Sequence, residues 1–336
     1  MLRTPTRSKR ASGTRCCGAI GVRDSETRLW VGSGLYGCRM VEVRDAPDAV
    51  RQRLWALWPQ FNWHGARYDR GAFHDVFIIA AANVVARITR SRFAADAAAE
   101  RNALLLQLAD RVESFQTPAP VSEPERWSDR HVAVLHTFVC GQEQTDLDDG
   151  DSHEIGRVID SIQLHSDLLR ARTVRSFCGG ADFPSIIDDV IAPAMAHECS
   201  RAARSAVEQL LAAETAVIAQ PVHGDLTRFN LRWDDGQVVG VIDWDHAAMG
   251  DPAIDIAGIL TSFGTNAAKD ISDAGTLHRA SLHRATFPLQ VAAAGHLHDD
   301  ERLQSTGIRN FEQRHRDGTL HWPEDRAHRS HSPQTR

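Results

Sequence analysis

His223-Gly224-Asp225-Leu226-Thr227-Arg228-Phe229-Asn230 sets an aspartate and an asparagine five residues apart, behind a histidine and a glycine. Immediately downstream, Leu231 to Trp233 and Val238 to Ile242 are β-prone runs separated by the turn-forming Asp234-Asp235-Gly236, so they predict a hairpin. Asp243 follows the second arm, and the hairpin brings Asn230 and Asp243 side by side.

These side chains suit phosphoryl transfer. That reaction asks little covalent chemistry of a protein: one carboxylate orients and deprotonates the acceptor hydroxyl, while oxygen ligands hold Mg²⁺ on the β- and γ-phosphates. Protein kinases carry H-R-D-x-x-x-x-N followed by D-F-G, with the same interval from aspartate to asparagine. Here the second residue is Gly224, and Asp243 is followed by Trp244 and Asp245.

A third motif completes the series. H-G-D-x-x-x-x-N, then Ile242-Asp243-Trp244-Asp245, then Gly250-Asp251-Pro252-Ala253-Ile254-Asp255 resemble, in order and spacing, the aminoglycoside phosphotransferase and choline kinase-like group of small-molecule kinases. His-Gly-Asp alone would mean no more than a turn; the three together are specific. The resemblance covers roughly residues 45 to 305. It implies an α+β, bilobal, protein-kinase-like fold, with an antiparallel sheet and one main helix in the N-terminal lobe and a mainly helical C-terminal lobe. It also implies Asp225 as catalytic base, Asn230 and Asp243 as metal ligands, and His223 as a brace for the loop. Asp251 is expected to cap a helix whose first turn holds Pro252, and Asp251 and Asp255 to support the catalytic loop.

Upstream, the strands Asp75 to Ala80 and Asn83 to Thr89 precede an Ala-rich helix, Phe93 to Ala109. Arg87 stands where kinases place the lysine that grips the α/β-phosphates, and Glu100 is its expected partner on the helix. Without that role Arg87 is a solvated strand-end charge and Glu100 an exposed helix residue. Gly71-Ala72-Phe73-His74-Asp75-Val76 occupies the place of the phosphate-covering loop with a single glycine, and His74 either touches phosphate or caps the turn. His136 to Val139 is the expected hinge. The acidic loop Asp146 to Asp151 either attracts a cationic acceptor or is a solvated linker.

The 336 residues carry a net charge of -6, which argues against a nucleic-acid partner held by a global positive field. Apolar content of 42% and charged content of 24% are those of an ordinary globular protein. No apolar run reaches the ~18 residues a membrane helix needs; the longest, Phe77 to Ala86, is broken by Asn83. Cys16, Cys17, Cys38, Cys140, Cys178 and Cys199 show no metal spacing and read as reduced thiols of a cytoplasmic protein. Only Lys9 and Lys269 are lysines, so arginine must take over lysine's phosphate contacts.

Residues 1–40, rich in Arg, Ser, Gly and Thr, read as a disordered extension or a misassigned start with translation beginning at Met40 rather than Met1. The expected division is then 41–138 for the nucleotide-binding lobe, 139–310 for the catalytic and substrate lobe, and 311–336 for a disordered tail. Helical spacing predicts helices over Pro47 to Trp58 and His153 to Leu169, and one from Pro184 to Ala216 broken near Pro193. The expected partners are Mg²⁺, ATP or GTP as donor, and a small-molecule acceptor. An aminoglycoside or macrolide antibiotic is the first acceptor class and a housekeeping metabolite the second; a catalytically silent nucleotide-binding regulator is the reading outside enzymology.

Overall fold

The computed structural model describes residues 47–148, 150–170, 172 and 182–321. The expectations for residues 1–40, for Asp149 and for the last part of the tail lie outside them. The first described element is α1 (Asp48–Leu57), entered from Pro47, whose carbonyl accepts from the Val50 and Arg51 N–H groups. An antiparallel sheet follows, made of β1 (Arg67–Arg70), β2 (His74–Ile79), β3 (Val84–Thr89), β4 (Glu125–Arg126) and β5 (Val132–His136) in the order β1-β2-β3-β5-β4.

Side chains alternate across a strand, and the sheet uses both faces. Phe77, Ala86, Ile88, Ala133 and Leu135 pack with Leu54, Trp58 and Trp63 in one core. The other face turns His74, Arg87, Thr89, Val132, Val134 and His136 toward a helix, with which they enclose a cavity of about 30 Å³. That helix is α3 (Ala98–Arg111), preceded by the short α2 (Arg92–Asp96). The single helix expected over Phe93 to Ala109 is thus interrupted at Ala97, and Ser91 Oγ caps its start by accepting from the Ala94 N–H at 3.1 Å.

Past Gly141 the chain becomes mainly helical: α4 (Asp151–Gln163), α5 (Ser166–Leu169), α6 (Phe183–Ile186) and α7 (His197–Glu214). The helix expected over His153 to Leu169 divides at Leu164 and His165, and the break foreseen near Pro193 lies between Ala192 and α7. Two small antiparallel pairs come next. β6 (Gln220–Val222) pairs with β9 (Ala248–Gly250), and β7 (Leu231–Asp234) forms the expected hairpin with β8 (Gln237–Val241). The lobe closes with α8 (Ala253–Phe263), α9 (Thr265–Asp270), α10 (Ala274–Leu297) and α11 (Glu301–Arg316). α7, α8, α10 and α11 share one apolar core, which includes Phe287 and Phe311.

α11 corrects one expectation. The segment from Phe311 is not disordered throughout: helix continues to Arg316, and Phe311 is fully buried. Leu303, Gly307 and Phe311 recur every four residues, a period hidden by the surrounding charge. At Gly307 a Cβ would stand 2.6 Å from the Pro288 carbonyl oxygen, so glycine lets α11 close on α10. Beyond the helix, Arg284 and Arg314 donate to the Thr319 and Leu320 carbonyls and fix the chain against the lobe. Among the described residues no helix is long and apolar enough to cross a membrane.

Candidate active site

The loop between β6 and β7 is shaped by its backbone. Asp255, on the first turn of α8, accepts from the His223 and Gly224 N–H groups at 2.8 Å, one on each carboxylate oxygen. Gly224 has φ 81°, and a Cβ there would meet the His246 carbonyl oxygen at 2.3 Å, so only glycine fits on both counts. The His223 ring spans the loop. Its Nε2 lies 3.0 Å from the Ile242 carbonyl, which makes Nε2 the protonated nitrogen and leaves Nδ1 to accept from the Asp225 N–H at 3.3 Å. Burial lowers its pKa to about 4, so the ring is neutral at pH 7.

Asp225 is buried. One oxygen, Oδ2, accepts from Asn230 Nδ2 at 3.0 Å, and the same amide donates to the Asp225 backbone carbonyl at 2.8 Å. The other oxygen, Oδ1, has no hydrogen-bond partner among the described residues. Burial, then the charge of Asp243, raises the Asp225 pKa well above the usual carboxylate range. Because Asn230 spends both amide hydrogens on Asp225, its oxygen is left to accept or to ligate. Ile242 N–H donates to the Asn230 carbonyl at 2.9 Å, which sets Asp243 next to it across the hairpin. Asp243 itself sits at φ 63°, and 43% of its side chain is open to solvent. The protein density around it in the cleft still disfavours its charge and raises its pKa, with Arg87 working the other way.

Arg87 reaches across from β3. Its Nη2 donates to Asp243 Oδ1 at 3.1 Å and to Asp245 Oδ2 at 3.0 Å, and its Nη1 donates to Asp245 Oδ1 at 3.2 Å. Burial opposes its charge, but Asp245 and Asp243 outweigh burial and hold it protonated. Asp245 is in turn kept well below the usual carboxylate range, since Arg101 and Arg87 overcome its burial.

The expected Arg87 to Glu100 pair is not formed. Glu100 has 65% of its side chain exposed and meets Arg172 Nε at 3.2 Å. The reason is helix phase: α3 turns Arg101, Asn102 and Leu105 toward the sheet, which leaves Glu100 on the rim.

Of the open alternatives, His74 is buried with Nδ1 3.2 Å from Arg87 Nη2, and burial lowers its pKa well below 6.5. It accepts from arginine instead of capping an exposed turn. In the acidic loop, Asp151 Oδ2 accepts from the Asp148 N–H at 2.8 Å and from Gln144 Nε2 at 2.5 Å, so this carboxylate closes the loop at the start of α4. At the hinge, β5 ends on His136, whose pKa burial lowers to about 3, and Gly141 turns the chain at φ 104°.

Asp251 does its capping one residue earlier than expected, because α8 starts at Ala253. Its Oδ1 accepts from the Ala253 N–H at 2.9 Å and its Oδ2 from Arg279 Nε at 2.8 Å. Despite burial, His283 and Arg279 hold its pKa low.

Sequence reasoning gave no role to Asp245 or Arg101. The signal for Asp245 was present, a second acid two residues after Asp243, but spacing alone does not say that it turns to the same guanidinium.

Residues 65–288 match the model of the phosphotransferase enzyme family. The chain is 30% identical over 288 residues to viomycin phosphotransferase of Streptomyces vinaceus, covering 79% of this chain and 98% of that protein. Among solved structures, a 2″-aminoglycoside phosphotransferase complex with GDP and kanamycin superposes with a TM-score of 0.66 at 17% identity, over 81% of this chain and 99% of that one. The apoenzyme of a macrolide 2′-phosphotransferase from Brachybacterium faecium does so with a TM-score of 0.55 at 16% identity, over 79% and 98%. Other structures of this fold hold ADP or ATP. At these identities the structural matches speak for the two-lobed kinase-like fold alone.

Proposed function

The chain belongs to the phosphotransferase enzyme family, and on that footing we propose that it moves the γ-phosphoryl group of a nucleoside triphosphate onto a hydroxyl of an antibiotic, viomycin being the first acceptor to try. The observation that carries this reading is Asp225 Oδ1, a buried carboxylate oxygen without a hydrogen-bond partner among the described residues, on a loop that also presents Asn230 and leads through the hairpin to Asp243. Each relative reported above is named for an antibiotic class, which favours an antibiotic over a housekeeping metabolite.

In this reading Asp225 Oδ1 accepts the proton of the acceptor hydroxyl as that oxygen attacks. A raised pKa makes the carboxylate a better base, and the Asn230 amide keeps it aimed. Arg87, with Asp245 on one edge of its guanidinium, offers its remaining N–H groups to the α/β-phosphates. Asn230 and Asp243 would hold Mg²⁺. Their donor atoms are oxygens, as that ion requires, and a cationic group, the Arg87 guanidinium, already rests on Asp243. The bound ion would neutralise charge on the β- and γ-phosphates. The free thiol Cys199 accords with a cytoplasmic place for the same activity.

The test is to incubate purified protein with Mg²⁺ and either ATP or GTP, together with viomycin, kanamycin or a macrolide, and to weigh the product. The expected result is an antibiotic heavier by one phosphoryl group, formed at a rate that collapses in Asp225→Asn. If no antibiotic is modified while a small metabolite is, or if Asp225→Asn turns over like the parent, the proposal falls.

A further inference from the structure

We infer that Asp245 is the positioning residue for Arg87, taking the part that the resemblance assigned to Glu100; the inference rests on the reading of Arg87 as the nucleotide's phosphate contact. Three observations carry it. The first is geometry: Asp245 meets Arg87 with both oxygens, at 3.2 and 3.0 Å, the parallel fork that fixes the plane of a guanidinium as well as its position. The second is burial. Only 4% of the Asp245 side chain is exposed, against 65% for Glu100, which is engaged with Arg172 instead. The third is what α3 turns inward. Where kinases present a glutamate from this helix, α3 presents Arg101, whose Nε lies 3.7 Å from Asp245 Oδ1. A cation there cannot anchor another cation, so the anchor has to come from elsewhere.

The backbone explains how it does so. Asp243 is in the left-handed region and Trp244–His246 form one tight helical turn, so that the side chains of 243 and 245 come to the same guanidinium. Trp244 holds the turn down: it is buried, its ring faces His223 edge-on at 4.8 Å, and its Nε1 donates to the Val241 carbonyl at 3.0 Å.

The two aspartates then divide the work. Asp243, open to the cleft, makes one hydrogen bond to Arg87 and can exchange it for a metal ion. Asp245, enclosed by Arg87, Arg101 and His74, keeps its pair throughout. The arginine that reads the donor phosphates is thereby tied to the same turn that carries the metal ligand, with no need for a helix to move into place.

The experiment uses the full chain and measures binding of Mg-ADP and of Mg-GDP by calorimetry, which needs no acceptor. Arg87→Ala, Asp245→Asn, Glu100→Gln and the double variant Arg87→Ala/Asp245→Asn are compared. Asp245→Asn is expected to weaken the better-bound nucleotide roughly ten- to hundredfold, as loss of a buried ion-pair partner does, while Glu100→Gln stays within about twofold, as an exposed pair does. Because Asp245 acts through Arg87, the double variant should bind no worse than Arg87→Ala alone, a non-additivity that a purely structural residue would not show.

Should Asp245→Asn fail to fold with its guanidinium half unpaired, the double variant removes both charges, and its comparison with Arg87→Ala decides alone. The inference is overturned if Asp245→Asn binds like the parent, if Glu100→Gln loses as much, or if the double variant loses the product of the two single effects. Unchanged binding by Arg87→Ala would instead bring down the reading of Arg87 itself.

Discussion

The loop around Asp225 and the strand end around Arg87 face the same cleft but are held by different means. The loop is held from within its own lobe, largely through its backbone: Asp255 takes the His223 and Gly224 N–H groups, and the His223 ring is set between Ile242 and Asp225. Arg87 is held by side chains alone, across the lobes by Asp245 and Asp243 and within its own sheet by His74. Backbone contacts to a buried carboxylate do not exchange with solvent or ligand. An ion pair with one member open to the cleft does. On the proposed reading, the base Asp225 sits in a fixed frame, while Arg87 keeps Asp245 and exchanges only Asp243, which suits a group that must let phosphates in and out.

The largest expected effect separates chemistry from frame. Asp225→Asn retains the contact to Asn230 in shape but removes the base, and kcat should fall by about 10²- to 10⁴-fold, the usual contribution of a positioned general base. Nucleotide affinity should stay within about twofold, because the contacts assigned to the donor lie on Arg87 and Asp243. Steady-state kinetics with either donor reads both numbers. A fall in donor affinity matching the fall in kcat would mean that the loop and the Arg87 side are not separately held.

Next comes the frame itself. Asp255→Ala leaves two buried N–H groups without acceptors, and each unsatisfied donor costs about 1–3 kcal/mol. Denaturant unfolding should show a loss of a few kcal/mol. Arg279→Ala, which takes one partner from the buried Asp251 but leaves it the Ala253 N–H, should lose less. Equal losses would place the support for the loop in the wider α8 start instead of in Asp255.

The same contrast explains what could be read from the chain alone. Asp225, Asn230 and Asp243 meet through a hairpin whose turn, arm lengths and alternation are all local, and the structure brings them together over short stretches of sequence. The partner of Arg87 lies 158 residues away in the other lobe, where no spacing rule reaches. Glu100 failed as a partner for a further local reason. Each residue turns a helix by about 100°, and the Ala-rich start of α3 has few large side chains to mark which way it faces. The interruption at Ala97 resets that phase, so Arg101 and not Glu100 points inward. Phe311 was missed for the opposite reason, an apolar period present but buried in a charged composition.

The smallest expected effect concerns pH, and it probes the side-chain clasp between the lobes. His298, at the end of α10, is stacked on Phe73 with ring centroids 4.0 Å apart and lies 2.6 Å from Ser91 Oγ, so it joins the helical lobe to the loop before β2 and the start of α2. Burial, then Arg101, lowers its pKa to about 4, against an ordinary histidine value of 6.5. The sign follows: the unfolded chain takes up this proton below pH 6.5 while the folded chain does not, so folding stability falls as pH drops from about 6.5 to about 4. His298 contributes on the order of 2 kcal/mol to that fall once solvent screening of its exposed edge is allowed for. In His298→Gln the ring stack is lost, so the variant should be less stable near pH 7.5 and should lose about 2 kcal/mol less than the parent on acidification to about pH 4.5. Urea unfolding at the two pH values measures the difference. An unchanged slope would assign the acid sensitivity to His223 and His136, the buried rings inside each lobe, and would leave the clasp between the lobes insensitive to pH.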